Sequence, residues 1–139
     1  YTKLSIIKKI EQEINRIKPN TIYTHFNGDL NIDHQIISEC VITATRPVKN
    51  TNLNKIYFFE VLSSTDFNFG TKKKFEPNHF ENTETFIDYK IKELKIYKDE
   101  MRKFPHSRSI ENVLNLSKLR GSQMFKKHAE AFILVKSYS

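Results

Sequence analysis

Residues 55–62 read KIYFFEVL, eight positions almost continuous in apolar and aromatic side chains. A strand that shows one face to water alternates apolar with polar; this run does not, so it is expected to be buried on both faces. Both faces of a strand are covered when helices lie on either side of a sheet, and the surrounding sequence supplies them. Upstream, Thr21–Thr24 (TIYT) is short, β-branched and aromatic, and reads as a second strand. Before it, Leu4, Ile7, Ile10, Ile14 and Ile17 recur at three- and four-residue steps, the period of an amphipathic helix that Lys18-Pro19-Asn20 ends. A second helix is expected from about Asp33 to Thr45, with Ile37, Cys40, Val41 and Ala44 on one face, closed by Arg46-Pro47.

Downstream, Ser63–Lys74 is a polar loop dotted with Phe, and Phe75–Phe80 a short extended piece around Pro77. Asn82 or Thr83 is placed to cap a long third helix carrying Phe86, Ile87, Ile91, Leu94, Tyr97 and Met101, broken by Phe104-Pro105-His106. A fourth helix is expected from Ser107 or Ser109, with Ile110, Val113, Leu114 and Ser117 in phase, and Ala131–Val135 (AFILV) reads as a last strand. The order helix, strand, helix, strand, helix, helix, strand predicts an α/β fold with a largely parallel sheet and covering helices.

Length and composition bound the function. With 139 residues, 38% of them apolar and including 11 Phe and 6 Tyr, the chain is of single-domain size and can bury a core. One cysteine, Cys40, excludes an internal disulfide and a multi-cysteine zinc knuckle, and fits a reducing, cytoplasmic compartment. No apolar run reaches the ~20 residues that cross a bilayer, and no signal peptide is visible. The net charge of +7 raises nucleic acid as a partner. The lysines are scattered, however, with Glu interleaved on helix faces and Lys72–Lys74 in a loop, which argues against a phosphate footprint.

Chemistry concentrates in Tyr23–His34, YTHFNGDLNIDH. Ligands of open α/β sheets bind at the carboxyl ends of strands, where His25 stands directly after TIYT. Gly28 permits a tight turn there. Asp33 opens the next helix, where a carboxylate either caps the orphan N–H groups or serves a site. His34 follows it and can aim its imidazole into the crevice as a metal ligand. Asp29, in the turn, can orient a histidine, bind a sugar hydroxyl or form an Asx-turn.

The stretch Ile22–Ile37, IYTHFNGDLNIDHQII, resembles the second conserved block of the PIG-L/LmbE family of zinc-dependent N-deacetylases. Further likeness lies in Ala44–Pro47 (ATRP), Phe59–Thr65 (FEVLSST), Phe104–Glu111 (FPHSRSIE), Arg120-Gly121 and His128–Phe132 (HAEAF), in family order across nearly the whole chain. The resemblance implies a Rossmann-like fold and hydrolysis of the N-acetyl group of an N-acetylglucosamine-type sugar, glycoconjugate or sugar nucleotide. It makes His34 a zinc ligand, with Asp33 as its companion or the helix cap. Many relatives carry a His where Asn31 stands; Asn31 can donate to an oxyanion but cannot deliver a proton, so either it does only the electrostatic half of the job or a neighbour such as His25 supplies the acid. His106, Arg108 and Arg120 are candidate contacts for a phosphate or sugar-nucleotide group, since guanidinium reads such groups bidentately. Gly121 can equally admit the close approach of another element, and Glu130 is placed to pair with one of the arginines.

The family's other two zinc ligands and its general base come from an Ala-His-Pro-Asp-Asp-Glu-like block that this sequence lacks. The chain is therefore expected to be the carboxy-terminal part of a larger domain, weak in zinc binding and inactive by itself. Uncovered sheet edge and apolar surface would favour association with the amino-terminal part or with another copy. The alternative from a different class is a non-catalytic basic module that binds a sugar nucleotide, a glycan or nucleic acid.

Overall fold

The structure, a computed structural model, describes residues 2–47, 52–70 and 73–138. Tyr1 and Lys72, and with Lys72 part of the Lys72–Lys74 run, lie outside the described residues. The elements are α1 (Lys3–Ile17), β1 (Thr21–His25), α2 (Ile32–Ala44), β2 (Lys55–Phe59), β3 (His79–Asn82), α3 (Ile87–Leu94), α4 (Ile110–Ser122) and β4 (Ala129–Ser137). The strands form one sheet in the order β1-β2-β4-β3. The chain divides into two units, Tyr1–Glu76 with Phe132–Ser139, and Pro77–Ala131.

In the first unit KIYFF, the first five residues of the KIYFFEVL run, is the central strand, and Glu60–Leu62 lie beyond its end. Ile56, Tyr57 and Phe58 are buried in succession, Ile56 completely. β1 lies parallel to β2, with Ile22 opposite Ile56 and Thr24 opposite Phe58. β4 lies antiparallel on the other side, with Phe132 opposite Phe59 and a register irregularity between Ile56 and Tyr57. The sheet is thus mixed rather than largely parallel. Apolar continuity signals burial on both faces and carries no information on the direction in which AFILV returns. Cross-strand aromatics bind the three strands: Tyr23 stacks on Tyr57 at 5.1 Å between ring centroids and meets Phe132 edge-on at 5.3 Å.

α1 begins where the Thr2 hydroxyl accepts the Ser5 N–H. It ends where Lys18, at φ 53°, turns left-handed and donates its N–H to the Ile14 carbonyl. Ile7, Ile10 and Ile14 are half-buried, whereas Leu4 and Ile17, at the ends of the stripe, remain exposed. α1 packs against α2, which buries Ser38, Cys40, Val41 and Ala44.

The second unit departs from expectation at α3. The helix spans eight residues and starts at Ile87 without a side-chain cap. Asn82 accepts the Glu84 N–H in a local turn instead of capping a helix, and the chain beyond Leu94 runs through successive turns to Met101. Phe86, Tyr89, Ile96 and Tyr97 are exposed, so no packed face extends the helix to the length that its periodicity suggests. α4 starts at the expected place, and of Ser107 and Ser109 it is Ser109 that caps it, its hydroxyl accepting the Asn112 N–H. Gly121 does admit a close approach: a Cβ there would lie 2.6 Å from the Lys126 carbonyl oxygen and 2.8 Å from the His128 nitrogen.

Two substitutions test these placements. Ile56→Ala should destabilise the chain by about 2–5 kcal/mol, the usual range for truncating a fully buried aliphatic side chain. Gly121→Ala, which drives a methyl into backbone, should cost about 1–3 kcal/mol. Urea midpoints unchanged from wild type would refute the placement of either residue.

Candidate functional site

β1 delivers His25 to the carboxyl edge of the sheet, and seven residues later the chain re-enters helix at Ile32. Between them the backbone folds back on itself. Phe26 is buried edge-on to Phe58 and Phe75, and the Asp29 N–H returns to the Phe26 carbonyl. Gly28 sits here for space rather than for φ, since no described glycine has positive φ. A Cβ would come within 2.5 Å of the Phe26 ring and 2.8 Å of the Lys73 Cβ. The Asn68 amide donates to the Gly28 carbonyl, and the Leu30 N–H donates to the Ser64 carbonyl at 3.0 Å, so the loop after β2 grips the loop after β1.

Asp29 is the centre of the arrangement. It has no exposed surface. Its Oδ2 lies 2.8 Å from Nδ1 of His34, and its Oδ1 accepts the Thr65 hydroxyl at 2.5 Å. Its backbone carbonyl accepts from Nε2 of Gln35 at 2.6 Å. A carboxylate can only accept, so the neutral His34 ring carries its proton on Nδ1 and leaves Nε2 as a lone pair. The His25 ring stacks on His34 with centroids 4.0 Å apart and planes 27° apart, and meets the Phe59 ring at 4.8 Å and a tilt of 53°. Nδ1 of His25 is buried and has no hydrogen-bond partner among the described residues. Burial above all, and then the neighbouring His34, hold His25 below the ordinary histidine pKa, with Asp29 opposing them.

Asn31 and Asp33 stand at the start of α2, just before His34 in sequence. Asn31, not Asp33, is the cap of α2: its Oδ1 accepts the Asp33 N–H at 2.8 Å. Asp33 is exposed in the first turn, where its charge suits the helix dipole, and the carboxylate that meets His34 is that of Asp29. Asp29 therefore takes the histidine-orienting role among those its position allowed.

His106, Arg108 and Arg120 belong to the second unit. His106 Nδ1 accepts the Arg108 N–H, Arg108 pairs with Glu100 at 2.6 Å, and Arg120 reaches Gln123 at 3.2 Å in the last turn of α4. Glu130 pairs with Lys90 rather than with an arginine. His128, which reads as a surface or loop residue in the sequence, is half-buried with Nδ1 2.8 Å from the Ser117 hydroxyl. That hydroxyl gives its proton to the Leu114 carbonyl, so His128 is the donor and the pair is structural.

Thr65 and Gln35 are the members of the site that residue-type reasoning passed over. Thr65, at the end of FEVLSST, stands where a buried strand meets a polar loop, a place for substrate hydroxyl contacts or for routine turn chemistry, and neither reading points to Asp29.

Comparison with known proteins adds the fold. No family model matches the chain, and no curated protein matches it. A solved structure, the conserved protein TT1542 from Thermus thermophilus, matches with a TM-score of 0.72 at 16% identity, over 97% of this chain and 60% of that one. The likeness is one of fold, and this chain spans 60% of the length of that protein. No helix among the described residues is long and apolar enough to cross a membrane.

The His25 environment has a consequence for stability. Because its folded pKa is depressed, the unfolded chain takes up a proton that the folded chain refuses. Stability is unaffected above about pH 6.5 and falls as the pH drops below it. His25→Gln should remove that share, so its urea midpoint should fall less than that of wild type between about pH 7.5 and 5.5. Equal falls would assign the acid sensitivity to other groups.

Proposed function

We propose that the chain is part of a zinc-dependent N-deacetylase of Rossmann-like fold, removing the acetyl group from an N-acetylglucosamine-type sugar or glycoconjugate. The observation that carries this reading is the His34–Asp29 pair at the carboxyl end of β1. A histidine whose Nδ1 is bound by a buried carboxylate, with Nε2 left as a lone pair, is the form in which imidazole ligates zinc.

The residues fit part of such a centre. His34 would hold the metal through Nε2. Among the described residues no group of three or more His, Cys, Asp or Glu is arranged to hold an ion. The reading therefore assigns the other ligands, and the base that activates water, to sequence outside this chain. Bound zinc would acidify water and polarise the amide carbonyl.

The chain's own residues do the rest. Asp29 keeps the proton on Nδ1 of His34 and fixes the ring plane. Asn31, with its Oδ1 committed to the helix cap, offers its amide N–H to the oxygen that gains charge as the amide is attacked. A depressed pKa makes His25 neutral at pH 7, which suits it to accept a proton or wall the site better than to act as the acid. His106, Arg108 and Arg120 carry no step of the reaction, although the arginines suit a phosphate-bearing substrate.

The test is deacetylation. The metal-loaded protein that contains this chain should release acetate from an N-acetylglucosamine derivative. Asp29→Asn should lower its metal affinity or kcat/KM by about 10–100-fold. The 139-residue chain alone should show only weak zinc binding in calorimetry. Tight stoichiometric binding by the chain alone would overturn the partition of ligands. Absence of acetate release by the metal-loaded protein across free sugar, glycoconjugate and sugar nucleotide would overturn the activity.

A further inference from the structure

The turn that ends β2 is built around the Thr65 side chain. The Thr65 N–H donates to the Val61 carbonyl at 2.8 Å, and the Val61 N–H donates back to the Thr65 hydroxyl at 2.7 Å. Ser63 closes the bend at φ 68°. A hydroxyl has one proton. With its oxygen already accepting from Val61, the Thr65 hydroxyl directs that proton at the acceptor opposite, Oδ1 of Asp29, 2.5 Å away. Beside it, the Ser64 carbonyl holds the Leu30 N–H, so the same turn fixes the backbone next to Asp29 as well as its carboxylate.

We propose that Thr65 is a positioning residue for His34: by fixing Asp29 in one orientation through its hydroxyl, it sets the tautomer and ring plane of the histidine that faces the site. The inference rests on the deacetylase reading for its consequence, the presentation of Nε2 to a metal, and on geometry alone for its substance. The chain of donors runs one way. The Val61 amide orients the Thr65 oxygen, the Thr65 proton occupies one carboxylate oxygen of Asp29, and the other oxygen is left for the Nδ1 proton of His34. Without the hydroxyl, Asp29 keeps its burial and loses one of its two side-chain donors, so the carboxylate can rotate away from the imidazole.

The experiment reads the His34 ring nitrogens of the metal-free 139-residue chain by long-range 1H–15N correlation at mildly alkaline pH, with His34→Gln to assign the signals. Wild type should show a protonated Nδ1 and an unprotonated Nε2. Thr65→Val, nearly isosteric, should move the Nε2 shift toward the protonated value as the second tautomer enters. Thr65→Ser, which keeps the hydroxyl, should restore the wild-type pattern. A loss of packing alone would not be rescued in this way. The backbone amide spectrum establishes that each variant is folded.

A folded Thr65→Val chain with the wild-type His34 pattern overturns the proposal, as does a wild-type chain with its proton on Nε2. Should Thr65→Val not fold, Thr65→Cys, a weaker donor of similar shape, takes its place: an intermediate shift supports the role and an unchanged one overturns it. Since neither zinc nor substrate enters the measurement, a protein that releases no acetate would leave this result standing. A working deacetylase with an indifferent Thr65 would sink only the present inference.

Discussion

A carboxylate with no exposed surface is tolerated in a protein only where donors replace the water it has lost, and Asp29 meets that condition with His34 and Thr65. The two donors come from different places, the first turn of α2 and the turn after β2, where the Val61 N–H holds the Thr65 hydroxyl in turn. Satisfying one buried anion therefore fixes how two loops and a helix start meet. Gln35, one residue beyond His34, secures the same position by its backbone. Chemistry and architecture share these bonds, since the group that orients the histidine is also the one around which the loops are folded.

The second unit shows the same economy with neutral groups. The Ser117 hydroxyl accepts from His128 while donating within α4, and Gly121 lets the chain turn back so closely that any side chain there would strike backbone. The Glu84 carboxylate accepts the Lys127 N–H at 2.7 Å, which draws it below the usual carboxylate pKa. Lys90 and Glu130 pair with both side chains partly in water, a contact of about 0–1 kcal/mol. Close backbone approach and caps, more than ion pairs, define this unit.

The central strand was legible in the sequence because a short run almost continuous in apolar residues, as KIYFFEVL is, suits a strand covered on both faces, although the strand stops at Phe59. The start of α4 near Ser107 or Ser109 and the stop at Lys18-Pro19 were equally readable from local rules. Strand direction was not, since AFILV reads alike in either sense. The length of α3 was not, because helical spacing in Phe86–Met101 says which residues share a face and nothing about whether anything packs against it. At the site, His34 and the crowded loop were legible by residue type. The partner of His34 was not: the resemblance offered Asp33 as its companion, and with two aspartates within five residues of His34 only the backbone's return decides that Asp29 turns inward while Asp33 faces water. Thr65 is 36 residues from Asp29, a separation over which no local pattern operates.

The first unit is discontinuous: it takes residues 1–76 and then, after the whole of the second unit, residues 132–139. β2 consequently has its parallel neighbour within about 30 residues but waits for its antiparallel neighbour until the chain has been made past residue 137. During synthesis one edge of β2, an apolar strand, is open while the intervening unit emerges. The nascent chain thus carries a timed vulnerability to misplaced strand pairing, which ends only when β4 closes over it.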